Sequence, residues 1–149
     1  MGISSQTNST TEYLQTSVNL ASTDIKNMYA TPVLAIASPN AHTAILVHTS
    51  MIEFLYVAPI YTAGSPTGQI YLQYGNTAHA AGPTIIPFQS VVNNTASIIA
   101  TDWMYQVQTS TASTIVGQSV YLTNPVAAYA TGNGTAIVNI FYSIVNTLS

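Results

Sequence analysis

The sequence predicts an all-β domain, an antiparallel sandwich or barrel, from three observations. Clusters of Pro, Gly and Asn interrupt the chain at short intervals from residue 31 onward. Between them lie short runs rich in Val, Ile, Thr and Tyr, several alternating apolar with polar residues. No stretch keeps a helical apolar period long enough for a bundle, so a helical bundle is excluded.

The 149 residues suit one domain with one core. Residues 1–28 are rich in Thr, Ser and Asn, with scattered apolar residues such as Ile3, Tyr13, Leu14, Val18, Leu20 and Ile25. They carry no proline turn signals, and the expectation is an extended N-terminal arm preceding a β-sandwich domain over 29–149. Tyr13, Leu14, Val18 and Leu20 are the arm's candidate anchoring side chains, toward a shell or a neighbouring subunit. The opening MGISSQTNST has neither the basic nor the apolar region of a signal peptide, and Gln6 stands where myristoylation prefers Ser or Thr. Met1 is accordingly expected at or near the mature start.

Strands are expected near Val33–Ala37, Thr43–Ser50, Glu53–Ile60, Gln69–Tyr74, Thr84–Phe88, Ala96–Ala100, Gln118–Thr123 and Ala136–Ile144. Between them stand Ser38-Pro39-Asn40, Gly64-Ser65-Pro66, Gly75-Asn76, Gly82-Pro83, Asn124-Pro125 and Gly132-Asn133-Gly134. Proline presets φ and glycine permits positive φ, so each cluster can reverse the chain. Asp102 is a candidate cap for one helical turn through Tyr105, the only helix expected in the domain. Gln69–Tyr74 alternates as a half-buried strand with one wet face. Glu53–Ile60 and Ala136–Ile144 are instead apolar on both sides. Their second faces are either covered by the arm or buried between subunits, or they belong to twisted central strands. Leu55, Val57, Ile137 and Phe141 are thus candidate oligomer contacts.

Charged residues make up only 3% of the chain: Glu12, Asp24, Lys26, Glu53 and Asp102. Soluble domains average roughly 25%. A surface so poor in charge lacks the usual barrier to association and suits a permanent assembly. One Lys, no Arg and a net charge of −3 argue against nucleic-acid binding, which requires cations to displace phosphate counterions. Mean hydropathy is positive, yet no uninterrupted apolar run approaches the 18 or so residues that span a bilayer. Neither nucleic acid nor membrane is expected as a partner.

The chemistry of catalysis is hard to assemble from these residues. No G-x-S-x-G elbow occurs; Gly117-Gln118-Ser119-Val120-Tyr121 lacks the final glycine. Four dispersed carboxylates make paired acid–base chemistry improbable. Without cysteine there are neither disulfides nor thiolate metal sites. His42 and His48 on one strand would stand roughly 20 Å apart, too far to share an ion, although a histidine ring on a three-fold axis is conceivable. A Thr49–Ile52 hairpin loop would set His48 opposite Glu53 as a cross-strand pair. Asn8, Asn93 and Asn133 begin N-x-S/T sequons, chance matches in so Asn- and Thr-rich a chain; Asn133-Gly134 reads better as a hairpin turn. The expectation is a non-enzymatic protein without metal or cofactor.

Four local patterns follow one another: Ala30-Thr31-Pro32 before the first strand, Tyr74-Gly75-Asn76-Thr77 at a strand end, Asn124-Pro125 entering a late segment, and Gly132-Asn133-Gly134-Thr135 running to Val138 and Tyr142. In this order they resemble a divergent group of tailed-bacteriophage virion proteins. The resemblance implies a jelly-roll-like sandwich, a homotrimer, and a place on the outer capsid surface as a decoration (cement) protein clamping the major capsid protein. It does not extend to residues 1–28. Two alternatives stand beside it: a head-fibre or tail-spike module that touches the host, and a carbohydrate-binding module using Tyr61, Tyr71, Tyr121 or Trp103.

Overall fold

The computed structural model describes residues 13–62, 68–103 and 115–147. Among these residues, eight strands form two four-stranded antiparallel sheets. They are β1 (Leu14–Leu20), β2 (Val33–Ile36), β3 (Thr43–Leu55), β4 (Ile70–Tyr74), β5 (Thr84–Phe88), β6 (Ile98–Trp103), β7 (Val120–Thr123) and β8 (Thr135–Asn146). One sheet has the order β1-β8-β3-β6 and the other β2-β7-β4-β5. Successive strands alternate between the sheets, apart from β4 and β5, which are neighbours. Two interlocked Greek keys produce this order, and the protein is a jelly-roll sandwich.

The core lies between the sheets, where the inward rows interdigitate. Ile45, Ile52 and Phe54 of β3 and Val138 and Ile140 of β8 meet Ile70 and Leu72 of β4, Ile86 and Phe88 of β5, and Val120 and Leu122 of β7. Burying an aliphatic side chain of this size contributes about 2 kcal/mol. Tyr74 ties the layers together: its hydroxyl donates to the Ile45 carbonyl at 2.6 Å.

The expected arm is corrected over its second half. Leu14–Leu20 is a full strand, paired residue for residue with Tyr142–Ala136 of β8. The helix α1 (Ser22–Asn27) follows directly. Its first turn is held by Asp24, whose carboxylate accepts from the Ala21 N–H at 2.9 Å. Ile25 and Met28 are fully buried and close the end of the sandwich, and the Met28 carbonyl accepts from Thr123 Oγ1 at 3.0 Å. Residues 14–28 therefore belong to the domain. Residues 1–12, with Gln6 and the Asn8 sequon, lie outside the described residues.

The two strands expected at Thr43–Ser50 and Glu53–Ile60 are one, β3, which ends at Leu55. No hairpin separates them. Its register against β8 shifts between Val47 and Thr49, a bulge at His48 that absorbs one residue without breaking the ladder. Asp102 lies within β6, opposite Ser50; the helical turn expected through Tyr105 extends outside the described residues. The segment around Asn133-Gly134 is not a hairpin either, because β7 and β8 belong to different sheets.

β4 lacks the wet face expected of it. Gln73 is fully buried, with Nε2 donating to the carbonyls of Gly75 at 3.0 Å and Thr77 at 2.6 Å and Oε1 accepting from the Gly82 N–H at 3.3 Å. These bonds fold the 75–82 loop over the outside of its sheet. The His79 N–H bonds the Tyr29 carbonyl, and the two rings stack with centroids 4.2 Å apart.

Candidate interaction surface

The two outer faces of the sandwich differ. The β2-β7-β4-β5 sheet is covered at one end by the 75–82 loop and by the chain leaving α1. The β1-β8-β3-β6 sheet has no such cover among the described residues. Strand register puts its outward side chains in rows across four strands. One row runs Asn19, Ile137, Glu53, Ile99; the next runs Ser17, Asn139, Met51, Thr101. Gln15, Phe141 and Thr49 continue the pattern, and Leu55 stands opposite Thr135. Ile137 is 41% exposed, Phe141 36%, Leu55 56% and Ile99 64%.

These side chains point outward because their neighbours point inward. Along β8, Ala136, Val138 and Ile140 are buried while Thr135, Ile137 and Phe141 are exposed. Period-two geometry leaves no other option once the inward row is in the core. A shallow groove of about 400 Å³ runs between β3 and β6, lined by Glu53, Leu55, Ser97 and Ile99. Glu53 is exposed, flanked in register by Ile137 and Ile99, and is the single charged side chain placed on this face among the described residues.

Of the expected oligomer contacts, Leu55, Ile137 and Phe141 share this face. Val57 is also exposed (46%) but lies beyond the end of β3. Ile99 belongs to the face and was not singled out from sequence; its adjacency depends on β6 pairing with β3, a long-range contact. The expected anchoring residues divide. Tyr13 is 71% exposed, Leu14 and Val18 are half-buried on the inward side of β1, and Leu20 is buried in the core and unavailable to a partner.

The proposed His48–Glu53 pair does not form, because the straight run of β3 carries the two residues apart. His48 Nε2 instead meets Ser143 Oγ at 2.9 Å, and the Tyr13 ring lies edge-on to the imidazole at 5.2 Å. Among the described residues no three His, Asp or Glu side chains gather into a metal site. Asp24 on α1 and Glu53 on the outer face of β3 belong to separate parts of the surface.

Of the aromatic residues considered for carbohydrate, Tyr61 is buried against Phe54 and Tyr129 and bonds the Gly134 carbonyl at 2.6 Å, so it offers no stacking face. Tyr71 and Tyr121 are half-buried and diagonal to each other on the outer side of β4 and β7. The Trp103 side chain lies outside the described residues.

No protein-family model matches the chain, and no curated protein matches it. Among solved structures, the chain is similar to a protein in the cryo-EM structure of rhinovirus-B5. The identity is 11%, over 90% of this chain and 75% of that one, with a TM-score of 0.29. A likeness at that TM-score carries no functional argument.

Proposed function

We propose that this chain is a virion structural protein, a decoration (cement) protein that binds the outer capsid surface as a homotrimer and braces the major capsid protein. The observation that carries this reading is the outer face of the β1-β8-β3-β6 sheet, uncovered among the described residues. Ile137, Phe141, Leu55 and Ile99 stand together there with a single carboxylate, on a chain that has one Lys and no Arg. Four strands at about 4.8 Å spacing with a mean length of about 30 Å present a face of about 600 Å² in projection. Its accessible area approaches the roughly 800 Å² per partner of a standard interface. A rigid sandwich with such a face suits assembly, and the order of the virion-protein motifs points the same way.

The test has two parts. Light scattering across a dilution series should give a trimer at micromolar concentration; a monomer there counts heavily against the reading. Purified protein mixed with undecorated shells should co-sediment with them, and failure to do so sinks the cement role. A chain beginning at Tyr13 is the informative truncation, since it removes only residues before β1.

A second reading is favoured by one arrangement, the diagonal pair Tyr71 and Tyr121 on the outside of the other sheet. Jelly rolls occur in lectin domains as well as capsids, and two adjacent phenol rings can stack on sugars. Glycan-array binding lost in Tyr71→Ala and Tyr121→Ala would move the assignment to a host-binding module.

A further inference from the structure

The sandwich has four edge strands, and three of them carry features that deter pairing. β2 is four residues long, follows Pro32 and contains a register shift. β5 contains Pro87, one residue from its end, and a register shift against β4. β6 includes Asp102. Such features are the ordinary means of blunting an edge. β1 has none of them. It is seven residues long, uncharged, free of proline and glycine, and in unbroken register with β8. Its other edge pairs with no strand among the described residues.

The sequence of β1 is self-complementary. Leu14-Gln15-Thr16-Ser17-Val18-Asn19-Leu20 reads nearly the same in both directions about Ser17. Laid antiparallel on a second copy, it sets Leu14 opposite Leu20, Gln15 opposite Asn19, Thr16 opposite the near-isosteric Val18, and Ser17 opposite itself. Faces agree as well. Gln15, Ser17 and Asn19 are exposed on the outer side, while Leu14, Thr16, Val18 and Leu20 point inward. Pairing therefore joins amide to amide outside and Thr16 to Val18 inside, while Leu20, already buried in its own copy, only bounds the space beside Leu14. The inward residues nearest the open edge are only half-buried in one copy, and a second β1 is the cover they lack.

We infer that β1 is a two-fold contact at which two copies of this chain join by antiparallel strand addition. An isologous contact requires a self-complementary surface, and this strand is one. The two sheets then become one of eight strands, ordered β6-β3-β8-β1-β1-β8-β3-β6. Because the axis is perpendicular to the sheet, both apolar outer faces lie on the same side. A single strand pair is smaller than a standard interface, so the contact is weak alone and gains strength when copies are already held together. In a three-fold assembly it links trimers in pairs. The inference stands on β1 and is independent of the virion reading.

The chain has no cysteine, so single introduced thiols report register cleanly. Ser17→Cys places two thiols directly opposite at the axis. Gln15→Cys alone leaves its two thiols about 13 Å apart along the strands. Treated with a short bismaleimide, Ser17→Cys should link into dimers at least about tenfold faster than Gln15→Cys, as directly opposed positions require. A mixture of Gln15→Cys and Asn19→Cys should recover the fast rate. Ser17→Lys, which opposes two ammonium groups at the axis, should abolish association through β1 while the thermal melt stays that of a folded sandwich. Equal rates at positions 15 and 17, or no dimer from Ser17→Cys, would overturn the proposal. Shell co-sedimentation, measured separately, reports on the virion reading alone.

Discussion

The Tyr74 hydroxyl reaches across the sandwich to the Ile45 carbonyl at 2.6 Å, a hydrogen bond between the two sheets. Burial pushes the Tyr74 phenol up to about 12, because the phenolate would lose its water there. Tyr61 is raised to about 12, first by burial and then by the charge of Asp24, and burial shifts Tyr129 upward in the same direction. A raised folded value means that the neutral form is the one the fold holds. This stability is fully present below the unfolded value of 10.0 and is lost as pH rises through about 12. Alkaline titration followed by tyrosinate absorbance and circular dichroism should show unfolding coincident with ionisation of these phenols. Ionisation near 10 with the fold intact would contradict it. Tyr74→Phe should cost about 1 kcal/mol at neutral pH, the net value of one hydrogen bond.

Leu20 and Tyr13 should respond oppositely to truncation. Leu20 is buried at the end of β1, so Leu20→Ala should lower stability by about 3 kcal/mol, as cavity-forming core substitutions do. Tyr13 is exposed, and Tyr13→Ala should leave the denaturation midpoint nearly unchanged. Equal and small effects at both positions would return residues 14–20 to the status of an arm.

Gly134 is needed for packing. A Cβ there would come within 2.5 Å of the Phe54 ring and 2.9 Å of the Leu55 carbonyl oxygen. At Gly132 φ is +114° and a Cβ would lie 2.4 Å from the Tyr61 ring. Gly134→Ala should destabilise the protein by about 3 kcal/mol in urea unfolding, through overpacking in the aromatic cluster. A loss under about 0.5 kcal/mol, the range of neutral surface changes, would show that the cluster yields.

Ile137→Asp and Phe141→Asp should separate folding from assembly. Both side chains are part-exposed on the outer face, and Asp at 137 stands opposite Glu53, so the monomer should lose about 1 kcal/mol in each case and remain folded. The oligomer, by light scattering, should be lost. With so few charges, the oligomer's midpoint should shift little between low and physiological salt. A shift of many degrees with salt alone would place ion pairs, not apolar contact, at the interface.

Much of this architecture was legible in local sequence, because strand periodicity and turn chemistry are local properties. Thr84–Phe88 is bounded as expected, and Tyr74-Gly75 and Asn124-Pro125 end strands where their residues say they should. The apolar doublets of Ala136–Ile144 already announced a strand with two apolar faces. β1 was obscured by composition: its Leu, Thr, Val, Leu row alternates with Gln, Ser and Asn, but a Thr- and Ser-rich context masks so short a period. β3 reads as two strands because its polar run His48-Thr49-Ser50 resembles a turn when the partner strands are not in view; the actual irregularity, the bulge at His48, lies inside the first of them. Tertiary structure alone decided which apolar row faces the core and which is left bare, since that depends on the layering of the sheets. It also decided that Gln73, polar by sequence, is buried to hold a loop. Leu20 became core and Ile99 became surface for the same reason: burial is a property of the partner across the sheet, which no single strand encodes.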